Sequence, residues 1–312
     1  MIPTQPGLRV LLRHQRHVSG AQRLLLTLAL TLLSMGARAD VPPAAHALFS
    51  RMQAAGLSFG PGVDETKVVV QDTLVHGLFL VRLRDSGESL GFINAQATLV
   101  GGGKRGFAVF DQPGKPARRL SGAEVLGLRT EILAAIDYPQ LVPIRYGTGG
   151  ARRILEISAV DCPSCQQFEQ ALASLVATPG QLDTTFYLVP SALVPTEDGG
   201  SAAWQTAAQV WCAESPGQAW QDWWQTHQVP VTADCRFDAR SAQREAGMLR
   251  NILRGVGINA DYTPTFVLED GTLAMAEGPR TAAYIRQTFG ASQGPTAPPA
   301  PLRRWLAPDP AP

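Results

Sequence analysis

Apolar and polar positions follow two rhythms along this chain, and the change from one to the other divides it. From Lys67 to Asp111 the apolar runs are short and of β type, at 67–71, 77–83, 89–93, 97–100 and 106–110. Asp85-Ser86-Gly87 and Gly101-Gly102-Gly103-Lys104 mark turns between them. The glycine run lacks the spacing and the Ser/Thr of a phosphate loop. A short helix within 40–59 (Ala44, Ala47, Leu48, Met52) precedes these runs. A longer one over 121–136 follows, with Val125, Leu128, Ile132, Leu133 and Ile136 on one face. Asp137-Tyr138-Pro139, Pro143 and Gly147-Thr148-Gly149-Gly150 then read as a linker over 137–150.

Beyond it the pattern is an apolar strand at 153–160, a helix carrying Phe168, Leu172, Leu175 and Val176, and a second strand at 185–189. A helical insertion follows, at about 195–255. Trp204, Ala208, Trp211 and Cys212 share one face of it, and Trp220, Trp223 and Trp224 another; tryptophans at this spacing read as core, or else as one wall of an apolar cleft. A helix near 241–254, a hairpin about Asp270-Gly271 and a last helix near 280–289 close the unit. The predicted order of the second unit, 151–290, is β, α, β, insertion, α, β, β, α.

The two ends read differently. Arg9, Arg13, Arg16 and Arg23 precede an apolar run at 24–33, and Ala37-Arg38-Ala39 follows. A basic start, a short apolar core and an A-x-A site predict a cleavable signal peptide over 1–39 and an exported, periplasmic protein. Residues 291–312, rich in Pro and Ala, read as a disordered tail. Removing 1–39 takes Lys+Arg from 27 to 22 against 26 Asp+Glu, so the mature chain is mildly acidic. It carries no basic stripe for nucleic acid or an anionic membrane.

Candidate chemistry centres on Cys162-Pro163-Ser164-Cys165, set between the apolar strand and the amphipathic helix. A helix start gathers unpaired N–H groups and the positive end of the dipole, which favour a thiolate, the nucleophile of disulfide exchange. Cys162 reads as that nucleophile, best placed for exposure, and Cys165 as the more enclosed resolving thiol. A structural disulfide or half a zinc site is the alternative. Zinc would need a second closely spaced pair, whereas the other cysteines, Cys212 and Cys235, stand far apart with no histidine in a ligand spacing, so no metal and no cofactor are expected. Four cysteines in an exported chain suit two disulfides, or one disulfide and one redox pair.

Taken together, these residues resemble the periplasmic disulfide isomerases of the DsbC/DsbG type. The resemblance rests on the Cys162–Cys165 motif, on Val210-Trp211-Cys212-Ala213 followed by Cys235, on Thr263-Pro264 before the hairpin, and on the β-rich leading unit. It implies an α/β chain: a thioredoxin-like domain with a helical insertion, preceded by a small α+β, cystatin-like dimerisation domain at 40–136. It further implies a structural disulfide between Cys212 and Cys235. A cis proline at Pro264 would leave the Thr263 backbone to pair with substrate. Glu156, six residues before Cys162, would be a buried proton acceptor for Cys165; as a residue pattern alone it could equally face water at a strand edge. Pro163-Ser164 departs from the Gly-Tyr of typical DsbC; its leading Pro is closer to DsbG and to the oxidant DsbA. The implied activity is protein disulfide isomerisation by a homodimer, acting on unfolded or misoxidised exported proteins and kept reduced by a membrane thiol reductant of the DsbD type. The alternatives are a DsbG-like reductase of sulfenylated or mispaired cysteines, or a chaperone of an envelope system with an incidental redox pair.

Overall fold

The computed structural model describes residues 43–54, 62–112, 115–148, 152–193, 201–232, 234–235, 237–274, 281–290 and 304–306. The expected signal peptide lies outside them. Helix α1 (Pro43–Ala54) leads into six strands, β1 (Val68–Asp72), β2 (Leu78–Leu83), β3 (Ser89–Asn94), β4 (Leu99–Gly101), β5 (Phe107–Val109) and β6 (Arg118–Arg119). Each pairs antiparallel with the next, so the first sheet is a simple meander in the order β1 to β6. Five of the strands follow the expected apolar runs. The sixth, two exposed arginines, has no hydrophobic signature to find. Helix α2 (Gly122–Ala135) begins on a capping box, in which the Ser121 hydroxyl accepts from the Glu124 amide and the Glu124 carboxylate accepts from the Ser121 amide.

The segment read as a linker is not one throughout. Val142–Tyr146 forms strand β7, with Val142, Ile144 and Tyr146 buried and Arg145 turned out. Pro143 disguises this alternation, but a proline is tolerated on an edge strand, and β7 is an edge. The second sheet has the order β11-β10-β8-β9-β7, built from β8 (Arg152–Ala159), β9 (Thr184–Ser191), β10 (Thr265–Val267) and β11 (Leu273–Ala274). Strands β8 and β9 are parallel, joined by helix α3 (Pro163–Val176), and the other pairs are antiparallel. Pro190 lies within β9 beyond the reach of β7, whose last partner is Leu188, so no ladder bond is lost there.

Between β9 and β10 stand α4 (Ala202–Cys212), α5 (Pro216–Thr226) and α6 (Ala239–Gly255), and α7 (Ala282–Phe289) follows β11. This is a mixed α/β arrangement with the element order expected of the second unit, helical insertion included. Its core is aromatic. Phe168 of α3, Phe186 of β9, Phe266 of β10 and Phe289 of α7 are fully buried, with ring centroids 4.5 to 6.2 Å apart, mostly edge-on. A Cys212–Cys235 disulfide ties the end of α4 to the segment before α6. Closing a loop of this size contributes about 3 kcal/mol on the chain-entropy account.

One continuous apolar cluster runs from Leu78 and Leu128 of the first unit to Ile252 and Phe289 of the second. The Arg129 guanidinium, on α2, donates to the Val256 carbonyl at 3.1 and 2.9 Å, capping α6 with a cation at its negative end. Nearby, a Cβ built on Gly255 would stand 2.6 Å from the Phe107 ring and 2.9 Å from the Gly102 Cα. Gly255→Ala should therefore destabilise the protein by about 1–3 kcal/mol by overpacking, although alanine is the better helix former. Denaturant titration checks this; an unchanged or raised midpoint would contradict the contact.

Candidate functional site: the Cys162–Cys165 pair

Strand β8 ends in the sheet interior, and the chain turns through Val160 and Asp161 into α3. Cys162 is the N-cap of that helix, with extended backbone angles, and Pro163 sits at the first helical position, where its missing N–H costs nothing. The cap is sulfur rather than a hydroxyl: Cys162 Sγ accepts from the Cys165 amide at 3.2 Å. Both cysteines are free thiols. From across the site, the carbonyl of Thr263 accepts from Cys162 Sγ at 3.3 Å, and the Thr263–Pro264 peptide bond is cis. Cys162, Cys165, Thr263 and Pro264, distant in sequence, thus meet at one point.

Ionisation divides the pair. A hydrogen bond from the Cys165 thiol, followed by the Thr263 side chain and by the amides of Cys165 and Ser164, brings Cys162 down from 9.0 to about 6 against the opposing effect of burial. Burial pushes the Cys165 thiol far up, and its bond to Cys162 adds to the shift. One sulfur is therefore largely thiolate at neutral pH and its neighbour a thiol.

Exposure differs from expectation. Cys162 is only 4% exposed, scarcely more than Cys165 at 0%. Trp224 of α5 packs on the apolar group formed by Ala159, Cys162 and Cys165, and the Thr263 carbonyl closes on Cys162 Sγ. The neighbouring Trp223 pins α5 in place by donating to the Val160 carbonyl at 3.0 Å. The insertion's tryptophans divide accordingly. Trp220, Trp204 and Trp211 are core, and Trp224 covers the site.

Glu156 does not face water. It lies on central strand β8, between Phe266 and Leu188 in the neighbouring strands, and is 1% exposed with Oε1 lacking a hydrogen-bond partner. Burial, and repulsion from Glu169, hold its pKa well above the usual carboxylate range. The buried hydroxyl of Ser158 has no hydrogen-bond partner.

Two participants escaped sequence reasoning. Glu169, one turn beyond Cys165 on the same helix face, is buried and accepts from Trp220 Nε1 at 2.7 Å; burial raises it from 4.5 to about 7. Its i+4 offset from Cys165 was the available signal. Arg250 of α6 donates to Ser191 Oγ at 2.9 Å, and Ser191 Oγ donates to the Ser158 carbonyl at 3.0 Å. Burial lowers the guanidinium pKa, and Cys165 lies close enough to act on it electrostatically. Nothing in the sequence distinguishes Arg250 from the other cations of its helix.

No protein-family model and no curated protein matches the chain. Among solved structures it is similar to the disulfide interchange protein from Neisseria gonorrhoeae, at 22% identity over 50% of this chain and 99% of that one, with a TM-score of 0.36. It is similar also to the catalytic domain of Proteus mirabilis ScsC (17% identity, 53% and 96% of the two chains, TM-score 0.36). A third is the thiol-disulfide exchange protein alpha-DsbA2 from Wolbachia pipientis (9%, 55% and 98%, TM-score 0.33).

Two measurements follow from these charges. The thiolate absorbance of the reduced protein should rise with a midpoint near pH 6 and vanish in Cys162→Ser; a midpoint near that of an ordinary thiol, about 8.5, would contradict the capped geometry. For Glu169, a folded-state pKa of about 7 against 4.5 unfolded means the native state holds the extra proton between those values, so its contribution makes stability fall as pH rises from 4.5 to 7. Glu169→Gln keeps an acceptor for Trp220 and should be more stable than wild type above pH 7, by on the order of 3 kcal/mol, with the gap closing below pH 4.5. Parallel pH profiles of the two proteins would remove Glu169 from the account.

Proposed function

We propose that this protein is an exported thiol–disulfide oxidoreductase that isomerises wrongly paired disulfides. The observation that carries the reading is the division of the pair. Cys162, capped by the Cys165 amide at the helix N-terminus, is ionised, while the enclosed Cys165 keeps its proton.

The Cys162 thiolate attacks one sulfur of a substrate disulfide, forming a Cys162–substrate disulfide and releasing the other sulfur as a thiolate. A substrate thiolate then attacks the substrate's half of that bond, which forms a new substrate disulfide and returns Cys162 as thiolate. No electrons are consumed. Where the substrate stalls, Cys165 gives up its proton and attacks Cys162 Sγ, freeing a reduced substrate and closing the Cys162–Cys165 disulfide. A dithiol reductant then has to supply two electrons, and a membrane protein of the DsbD type suits that need. Glu156, a carboxylate made more basic by burial, is the proton acceptor assigned to this second step.

Thr263 and Pro264 form the rim where an extended substrate segment lies, and Trp224 gives way as substrate enters. Pro163 and Ser164 set the helix start between the two sulfurs. The disulfide Cys212–Cys235 suits an oxidising compartment. Among the described residues no helix is long and apolar enough to cross a membrane, and the periplasm is the proposed location. The meander unit is assigned to homodimerisation, which would place two sites around a shared cleft for unfolded chains.

The deciding assay is reactivation of scrambled ribonuclease in a glutathione buffer. Wild type should restore activity, Cys162→Ala should fall to the uncatalysed rate, and Cys165→Ser should accumulate covalent adducts with substrate. Activity retained by Cys162→Ala would end the catalytic reading in favour of a chaperone. Stoichiometric consumption of reductant without reactivation would replace isomerisation by reduction.

A further inference from the structure

Glu131, on the inner face of α2, is 4% exposed and has no cation bonded to it among the described residues. Its two oxygens are satisfied in another way. Oε1 accepts from the Arg304 amide at 2.8 Å, and Oε2 accepts from the Trp305 amide at 3.0 Å and the Leu306 amide at 3.1 Å. Three consecutive N–H groups of one segment converge on one carboxylate, an anion-cradling arrangement of backbone. The segment is read on its other side too. Asn94 Nδ2, at the end of β3 and 1% exposed, donates to the Trp305 carbonyl at 2.8 Å.

Side chains complete the fit. Trp305 and Leu306, 5% and 4% exposed, join the apolar cluster of Leu74, Leu78 and Leu128. A Cβ on Gly127 would touch the Trp305 ring at 3.5 Å, and one on Gly77 would stand 3.0 Å from the Leu306 carbonyl oxygen, so the backbones approach closely where glycine permits it. The Arg304 guanidinium lies 4.9 Å over the Trp305 ring and 3.5 Å from Glu124. These three residues belong to the region expected to be disordered, and its remainder lies outside the described residues.

We infer that the end of the meander unit, built from Gly77, Asn94, Gly127 and Glu131, is a peptide-binding site for an Arg-Trp-Leu segment, and that Arg304-Trp305-Leu306 is its resident ligand. The site holds all that separable recognition requires: a buried carboxylate to fix the backbone register, a buried amide to read the carbonyl, a slot for one indole and a cation-favouring rim. The chain's own segment occupies it at an effective concentration of about millimolar, the order of magnitude for a tethered ligand. A free peptide of the same sequence should therefore bind only where the resident one is disabled.

The test uses the full chain and a fluorescein-labelled peptide spanning residues 301–308. Trp305→Ala protein should raise the anisotropy of the peptide, with wild type binding it at least about tenfold more weakly because its own segment competes. Trp305→Ala/Glu131→Ala should lose that binding by about tenfold or more. A folded Trp305→Ala protein that ignores the peptide overturns the inference, as does binding unaffected by Glu131→Ala. A second arm needs no disabled ligand. Wild type carrying a protease site within 291–303 is folded, cut and gel-filtered; the released fragment should co-elute with the body, and should separate from it in Glu131→Ala. Separation in both proteins equally would overturn the inference on its own.

Discussion

The hydrogen bond from the Cys165 amide to Cys162 Sγ is the contact on which the arrangement of the site depends. A helix must satisfy its first amides from outside, and oxygen-bearing side chains usually do so. Here a sulfur takes the role. The same contact that begins α3 therefore stabilises negative charge on Cys162, and local folding and chemical activation become one event. Replacing the cap by a non-polar residue removes a nucleophile and an N-cap together. In its thiol form Cys162 Sγ also donates to the Thr263 carbonyl, across the turn that precedes β10, a bond that ionisation gives up.

What surrounds that contact makes it more than a cap. The aromatic core of Phe168, Phe186, Phe266 and Phe289 locks α3 onto the sheet, and α5 of the insertion lays Trp224 over the pair. The thiolate is thus formed in a shielded place, where hydrogen bonds from fixed donors act with little competition from water. The cost is access. At 4% exposure, a protein disulfide reaches Cys162 Sγ only if the indole or the Thr263 loop moves. Trp224 Nε1 is buried without a hydrogen-bond partner, so no polar bond of its own holds the indole closed.

Much of this was legible in the residues. The strand–Cys-x-x-Cys–helix sequence and the hairpin at Gly271 have local signatures, and the structure places them as read. What escaped was settled by partners distant in sequence. β7 looked like linker because Pro143 interrupts it, and only pairing with β9 makes it a strand. Cys162 read as exposed because a helix start usually is; it is buried in a group against which Trp224, sixty-two positions on, packs. Arg304-Trp305-Leu306 read as disorder because three residues carry no periodicity, and their order comes from Glu131.

The two buried acids Glu131 and Glu156 show how burial alone misleads and partners decide. Both carboxylates are almost wholly enclosed, at 4% and 1% exposure. Glu131 receives three backbone amides, so its charge is met by fixed donors and its role is to hold a segment in place. Glu156 has an oxygen with no partner and a second buried acid, Glu169, acting against its charge. An acid that folding leaves unsatisfied lowers stability and is kept only where its proton is useful. Arg250, with Nε likewise unpartnered and Cys165 within electrostatic reach, belongs with Glu156 rather than with Glu131. Among the described residues, several buried groups without a hydrogen-bond partner, those of Ser158, Trp224, Arg250 and Thr263, therefore act on or touch Cys162 and Cys165, where charge must appear and disappear as disulfides form and break.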